Sequence, residues 1–387
     1  MNKVAVLGGG ASGIMAAITA KNYGADVVLL EKNSRIGKKL LMTGNGRCNL
    51  TNMKLKAEDY NSAFVCDALA AFSQEDTVEF FRKAGLLTFS DEEKRVYPVT
   101  NQASAVLEIL LLELERKNIP VICNFDVKAV EKRQNGFVVS DKNGKEIFAD
   151  KIVVALGGKA APSTGSDGSG YRLLEALGHS VAPLDKALVQ LKTDRGIKGV
   201  RVNARATLKD MTELGEVQFT EYGLSGIPIF NLSGYAKEGD IITLDLLPDY
   251  TEEELFCYLK TRSNQRLETY LVGIVNKQLG QMLLKECELG RLSRESRDLQ
   301  DFEIRKIAAK IKNWHFTVIG KMPWENAQVT KGGIAVSEIF SKTMESKLVS
   351  GCYITGEMLD VDAPCGGYNL QWAWSSGFLA GKSAAGE

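Results

Sequence analysis

An α/β architecture, a parallel sheet interrupted by a β-rich insert, is predicted for this 387-residue chain by three observations. Residues 4–7 form a short valine-containing run that ends in Gly8-Gly9-Gly10 and leads into ASGIMAAITAKNYG and a second run at 26–30. That order is strand, glycine turn, helix, strand. Residues 121–130, 137–141 and 146–150, the last two around an Asn143-Gly144 turn, read as a β-meander that hands on to a buried strand at 151–156. From about Val189 the pattern changes to short alternating strands, and from Thr251 to charge-rich helices. After about Gly320 glycine-punctuated strands return.

The remaining elements follow from caps and periodicity. Gly24 stands where a helix end favours a left-handed residue, so the first helix should span about 11–23. Residues 73–84 form an amphipathic helix with Ser73 as N-cap and Gly85 as its stop, and 102–118 a second one. The strand at 151–156 ends in Gly157-Gly158, and a helix over 369–385 closes the chain. The expected organisation is a discontinuous domain of 1–188 and 320–387, a β-rich insert at 189–250 and a helical extension at 251–319.

Lys plus Arg equals Asp plus Glu at 48 each, so net charge gives no reason to expect nucleic acid or an anionic membrane as partner. Seven cysteines without a C-x-x-C pair suggest neither a disulfide framework nor a zinc site. No metal is expected. Without a signal-peptide succession or a long apolar run, the chain is expected to be cytoplasmic.

Gly8-x-Gly10-x-x-Gly13 follows a strand and opens a helix, and Glu31 ends the next strand 18 residues beyond Gly13. Glycines there allow a tight turn, close approach of a pyrophosphate and helix-on-sheet packing. The helix start at Ala11 and Ser12 then offers free N–H groups and the positive dipole end to phosphate. Glu31, with Lys32 beside it, suits ribose hydroxyls and disfavours a 2′-phosphate, so the first nucleotide is FAD or NAD. Taken alone, the triplet also fits a tight turn in any α/β protein.

A second strand end resembles the first. GCYIT at 351–355 is followed by Gly356-Glu357, then Pro364-Cys365-Gly366-Gly367-Tyr368-Asn369 and a helix. A ribitol needs a carboxylate partner and a flavin needs donors near N1 and C2=O, which Glu357 and the helix start supply. The helix dipole there favours an anionic reduced flavin. This second site points to FAD, although a glycine-capped turn accounts for Gly366-Gly367 alone.

The stretches VAVLGGGASGIMAA, EKNSRIGKKLLMTGNGRCNLTN, ALGGKAAPSTGSDGSGY, GLSGIPIF, TKGGIAVSEI and TGEMLDVDAPCGGYNLQWAWSSG resemble the BaiN/YhiN-like conserved flavoprotein family, which also includes enzymes described as aminoacetone oxidases. The resemblance implies a Rossmann-like FAD-binding domain interrupted by a β-barrel-like substrate domain with a helical extension. It implies that Lys39, Thr43, Asn45, Gly46, Arg47 and Cys48 meet the pyrophosphate, ribitol or ring. Val127 resembles the position that packs against adenine, or is a core valine; Gly157 and Gly158 end a strand near the cofactor, or form a simple turn. Glu357 departs from the Asp that flavoproteins of this fold often carry. Arg47 holds phosphate, polarises a substrate carbonyl or is a surface charge.

Cys48 has no second cysteine within ten residues and is read as structural or ring-facing. His179 and His315, in no motif, read as packed or surface residues, and Trp372 and Trp374 as helix packing. Tyr222 and Tyr368 are conceivable proton donors, but no catalytic residue is assigned. Gly165-Ser-Asp-Gly168-Ser-Gly170 has the wrong spacing for a second dinucleotide motif, so a nicotinamide donor, NAD(P)H, would bind only transiently. The leading expectation is NAD(P)H-linked reduction of an enone-type small molecule, bile-acid-like by resemblance. The alternatives are an amine oxidase of the aminoacetone type and, in another class, a flavin-containing RNA-modifying or RNA-binding protein. KTRSNQR and GRLSRESR are the locally basic segments that the last would use.

Overall fold

A computed structural model describes residues 2–386. Five parallel strands form the central sheet, in the order Cys352–Ile354, Lys151–Val154, Lys3–Leu7, Asp26–Leu30, Val121–Ile122. Their central members are buried on both faces, which is why they read as continuous apolar runs and not as alternations. Helix Ala11–Asn22 links the first two strands and is buried along most of its length. Gly24, just past its end, has φ of +87°, the left-handed conformation that the sequence calls for.

The helix Tyr368–Ala385 packs against this first helix at glycine contacts. A Cβ on Gly377 would lie 2.4 Å from the Ser12 carbonyl oxygen, and one on Gly381 equally close to that of Ala16. Trp372 and Trp374 are buried in it, their indole N–H groups donating to the carbonyls of Gly356 (3.0 Å) and Leu50 (3.0 Å). Helix Gln74–Ala84 carries a capping box between Ser73 and Asp76 and stops at left-handed Gly85. The meander is Val127–Arg133, Gly136–Asp141 and Glu146–Ala149.

Residues 121–130 are not one strand. Asn124 is left-handed, and the Phe125 amide turns back to the Glu31 carbonyl at 2.9 Å, so the chain breaks between Ile122 and Val127. A small antiparallel sheet of Thr51–Asn52, Arg95–Pro98 and Thr88–Ser90, and a helix at Ser169–Ala176, complete this unit, which runs to Lys186 and resumes at Gln328.

The second unit, Ala187–Ala327, is a closed six-stranded antiparallel barrel with helices. Strand Trp314–Lys321 shows how sequence specifies it: Trp314, Phe316 and Val318 point into the core and alternate with exposed His315, Thr317 and Ile319. Trp314 and Phe316 pack with ring centroids 5.0 Å apart. Ile227–Ser233, inside the stretch that reads as strands, is a helix started by Pro228 in its first turn. Helices Glu252–Lys260, Lys277–Glu286 and Asp301–Lys312 precede the closing strand. Among the described residues no helix is long and apolar enough to cross a membrane.

Candidate functional site

The glycine turn is built by exclusion. A Cβ on Gly13 would lie 1.9 Å from the Gly8 carbonyl oxygen, so only glycine lets the helix sit this close to the strand end. Gly10 is the N-cap, has no side-chain cap and faces open space, leaving the amides of the first turn available. Glu31 is nearly buried beside it. One carboxylate oxygen accepts from the Gly9 amide at 2.9 Å, and the other accepts from the backbone and side chain of Asn33 at 2.8 and 2.6 Å. Lys32 pairs with Asp167 at 2.8 Å. Burial raises the Asp167 carboxyl, but the bonds from Lys32 and Ser169 outweigh it and leave the group below its ordinary range. Val127 starts its strand two residues after Phe125, the residue bound to the Glu31 carbonyl, and is half-buried against the core.

Four separate segments meet at Glu357. Lys39 Nζ lies 2.6 Å from one carboxylate oxygen, and the Thr330 amide donates to the other at 2.8 Å. Thr330 Oγ1 in turn accepts from the amides of Lys159 and Ala160 at 2.7 and 3.0 Å. Gly158 passes so close that a Cβ would lie 2.7 Å from Glu357 Oε1. Gly157 is left-handed, with Ser166 Oγ 3.0 Å from the place of its missing Cβ. Gly356, also left-handed, is held by Ser376 Oγ, which accepts from its amide at 3.0 Å.

The polar loop after the second strand is a distorted turn, Leu40–Gly46, with Gly44, Asn45 and Gly46 all left-handed. Thr43 Oγ1 donates to the Leu40 carbonyl at 2.7 Å, and the Arg47 guanidinium lies 4.5 Å over the Tyr97 ring. Cys48 is fully buried, which pushes its thiol up to about 12 against the lowering bond with Thr43.

Past this turn the loop reaches the far end of the chain. A Cβ on Gly367 would lie 2.5 Å from the Thr51 carbonyl carbon and 2.9 Å from Asn49 Oδ1, and Asn52 Nδ2 donates to the Gly366 carbonyl at 3.1 Å. Tyr60 O–H donates to the Tyr368 carbonyl at 2.8 Å. The side chain of Asn369 bonds to the amide and carbonyl of Ala363 (3.1 and 2.8 Å), so it closes its own loop. Sequence reasoning quotes Asn49, Thr51 and Asn52 within GRCNLTN but gives them no role; Ser166 and Asp362 it also misses. Four of these five carry a buried side-chain oxygen without a partner: Asn49 Oδ1, Thr51 Oγ1, Ser166 Oγ and Asp362 Oδ1.

Other candidates are engaged elsewhere. His179 is sealed between Glu338 (Nδ1, 2.8 Å) and Ser346 (Nε2, 2.9 Å). His315 is exposed on its barrel strand. All seven cysteines are free thiols, and no cluster of three metal-ligating side chains occurs among the described residues.

Fold and site define the class of this protein: a flavin-dependent oxidoreductase on a Rossmann-type nucleotide-binding domain. The chain belongs to the family described as HI0933-like protein Rossmann domain, whose model matches residues 2–383. It is 38% identical to a protein from Clostridium scindens named 3-dehydro-bile acid delta(4,6)-reductase, covering 100% of this chain and 99% of the relative. It is 30% identical to a ribosomal RNA dihydrouridine synthase from Escherichia coli, over 97% of this chain and 96% of that one. Among solved structures, a 3-ketosteroid delta1-dehydrogenase from Sterolibacterium denitrificans shares the fold with a TM-score of 0.52 at 14% identity, with 100% of both chains covered.

Proposed function

We propose that this protein is an FAD-dependent reductase that transfers hydride from NAD(P)H to a carbon–carbon double bond conjugated with a carbonyl, in a small molecule of the dehydro-bile-acid type. The observation that carries the reading is the end-to-end 38% identity to a relative named for such a reduction. Bound FAD supplies a two-electron carrier between donor and acceptor.

The residues fit that cofactor. Gly8, Gly10 and Gly13 leave a cradle with uncapped amides at Ala11 and Ser12 for the pyrophosphate, and Glu31 with Lys32 takes the adenosine ribose beside Val127. Lys39, Gly158, Gly356 and Glu357 take the ribitol side. Thr43, Asn45, Gly46, Arg47, Cys48 and Gly157 take the ring, with Gly366, Gly367, Tyr368 and Asn369 at its pyrimidine edge. The four unpartnered buried oxygens lie in or directly beside these segments, where a polar ligand would satisfy them. The first turn of the Tyr368–Ala385 helix, free of a side-chain cap, favours negative charge at that edge.

A second reading is favoured by the relatives named as ribosomal RNA dihydrouridine synthases. The C5=C6 bond of uracil is likewise conjugated with a carbonyl, so the same hydride addition serves a macromolecular substrate. The two basic segments that would hold RNA do meet, with the Ser296 amide on the Gln265 carbonyl at 2.7 Å. Three of their six basic side chains are paired with acids: Lys260 with Asp301 (2.7 Å), Arg294 with Glu303 (2.6 Å) and Arg266 with Glu295 (3.9 Å). The higher identity to the bile-acid reductase ranks the small molecule first.

Anaerobic mixing tests both. NADH or NADPH should bleach the purified flavoprotein, and an enone steroid should restore its colour. Recolouring by uridine-containing RNA alone, with steep salt dependence, moves the assignment to RNA. Bleaching by aminoacetone and recolouring by oxygen moves it to an oxidase. A colourless protein that takes up no flavin sinks all three.

A further inference from the structure

We propose that Asp362 is the proton donor of this reductase, protonating the α-carbon of the conjugated carbonyl as hydride reaches the β-carbon. The inference rests on the conjugated-double-bond reading above and supplies the acid that reading lacks. The balance is simple. The π pair of the double bond forms the new α C–H bond with the carboxylic-acid proton, the nicotinamide donor is oxidised by two electrons, and the Asp362 carboxylate regains a proton from water.

Asp362 lies in the loop between Glu357 and the helix at Tyr368, and its backbone is fixed from two sides. The Asn61 amide donates to its carbonyl at 3.1 Å, and its own amide donates to Asn61 Oδ1 at 3.1 Å. The next residue, Ala363, is held by Asn369. None of these bonds uses the carboxyl. The residue is 9% exposed, and Oδ1 is buried with no partner. An acid kept for structure looks different: Asp141 accepts from the amides of Asn143 and Lys145, both at 2.8 Å.

Lys331 and Asp360 are the charged groups that act on it. Lys331 follows Thr330, whose amide holds Glu357, and along the chain Asp362 lies between Glu357, assigned to the ribitol, and Gly366, assigned to the pyrimidine edge. Burial pushes its carboxyl up, Lys331 opposes and Asp360 adds to the rise, so the acid form is favoured more than in a free carboxyl. Two tyrosines that reach this part of the chain are engaged: the Tyr60 and Tyr171 O–H groups donate to the carbonyls of Tyr368 and Glu357.

The test splits the half-reactions of the holoprotein under anaerobic stopped flow. Asp362→Asn should keep its flavin and be reduced by NAD(P)H within about twofold of the parent rate, while reoxidation by an enone steroid slows about 10²- to 10⁴-fold. Parent reoxidation should slow as pH rises through titration of the carboxyl; in the Asn variant that pH dependence should vanish, and Asp362→Glu should recover part of the rate. Equal reoxidation of the Asn variant and the parent overturns the proposal. If the Asn variant loses flavin, the parent profile decides, and a pH-independent reoxidation overturns it. A parent that no enone reoxidises defeats the underlying reading first, and the inference falls with it.

Discussion

Cys48 and Cys352 have no exposed surface, and burial pushes both thiols up to about 12; for Cys352 the nearby Lys132 opposes that rise only in part. Cys66 and Cys257 are exposed. Because the thiolate is the reactive form, at pH 8 a disulfide reagent should modify Cys66 and Cys257 in a fast phase and leave Cys48 and Cys352 untouched until the protein unfolds. Mass mapping of the fast phase checks this, and rapid labelling of Cys48 would mean that the loop around it opens in solution. Asp362 gives a prediction of stability with a definite sign. Its carboxyl is raised in the folded protein, so folding binds a proton that the unfolded chain has released, and its contribution worsens as pH climbs from the unfolded value near about 4 through the folded one. The difference in Tm between Asp362→Asn and the parent should therefore shift in favour of the variant between pH 4 and 8. A difference that stays flat across that range would show that the group titrates normally.

Helix Ala11–Asn22 and helix Tyr368–Ala385 cross where Gly377 and Gly381 admit backbone contact, and this crossing sets the Gly10 turn relative to the Gly367 turn. Gly377→Ala puts a methyl 2.4 Å from the Ser12 carbonyl oxygen, so the helices must part. The expected cost is about 1–3 kcal/mol of stability with a clear loss of FAD affinity, although Gly377 is assigned no cofactor contact. Flavin titration and thermal melts check it; full affinity in a destabilised variant would uncouple the crossing from the site. At this scale the sequence was informative wherever the signal is local. The glycine spacing, the Ser73 box, the Gly24 and Gly85 stops and the alternation in WHFTV all describe the elements found. Strands Thr51–Asn52 and Thr88–Ser90 are too short to carry a period, and the break at Asn124 depends on a bond to Glu31 far away in the chain. The meeting of Asn49 and Thr51 with Gly367, and of Lys39 with Glu357, joins segments more than 300 residues apart. No spacing encodes such pairs; the GRCNLTN composition signals that the loop meets something polar, not what.

The chain leaves the first unit through strand Asp185–Ala187 and re-enters it in Val329–Lys331, and these two strands are hydrogen-bonded neighbours. Neighbouring strands lie about 5 Å apart, so the exit and return points of the intervening residues are almost adjacent. Each unit also has its own apolar core, one around the parallel sheet and one around Trp314 and Phe316. A short linker bridging that gap carries a loop-closure cost far below the one the native connection already bears. Replacing 189–327 by a few Gly and Ser residues should therefore give a folded protein that still turns yellow with FAD, because every residue assigned to the cofactor lies outside the excised stretch. Thr330, which anchors Glu357, is retained. Enone turnover by the shortened protein then reports whether residues 189–327 contribute to the reaction. A colourless or aggregated product would instead show that the first unit needs the barrel to hold its nucleotide-binding turns in place.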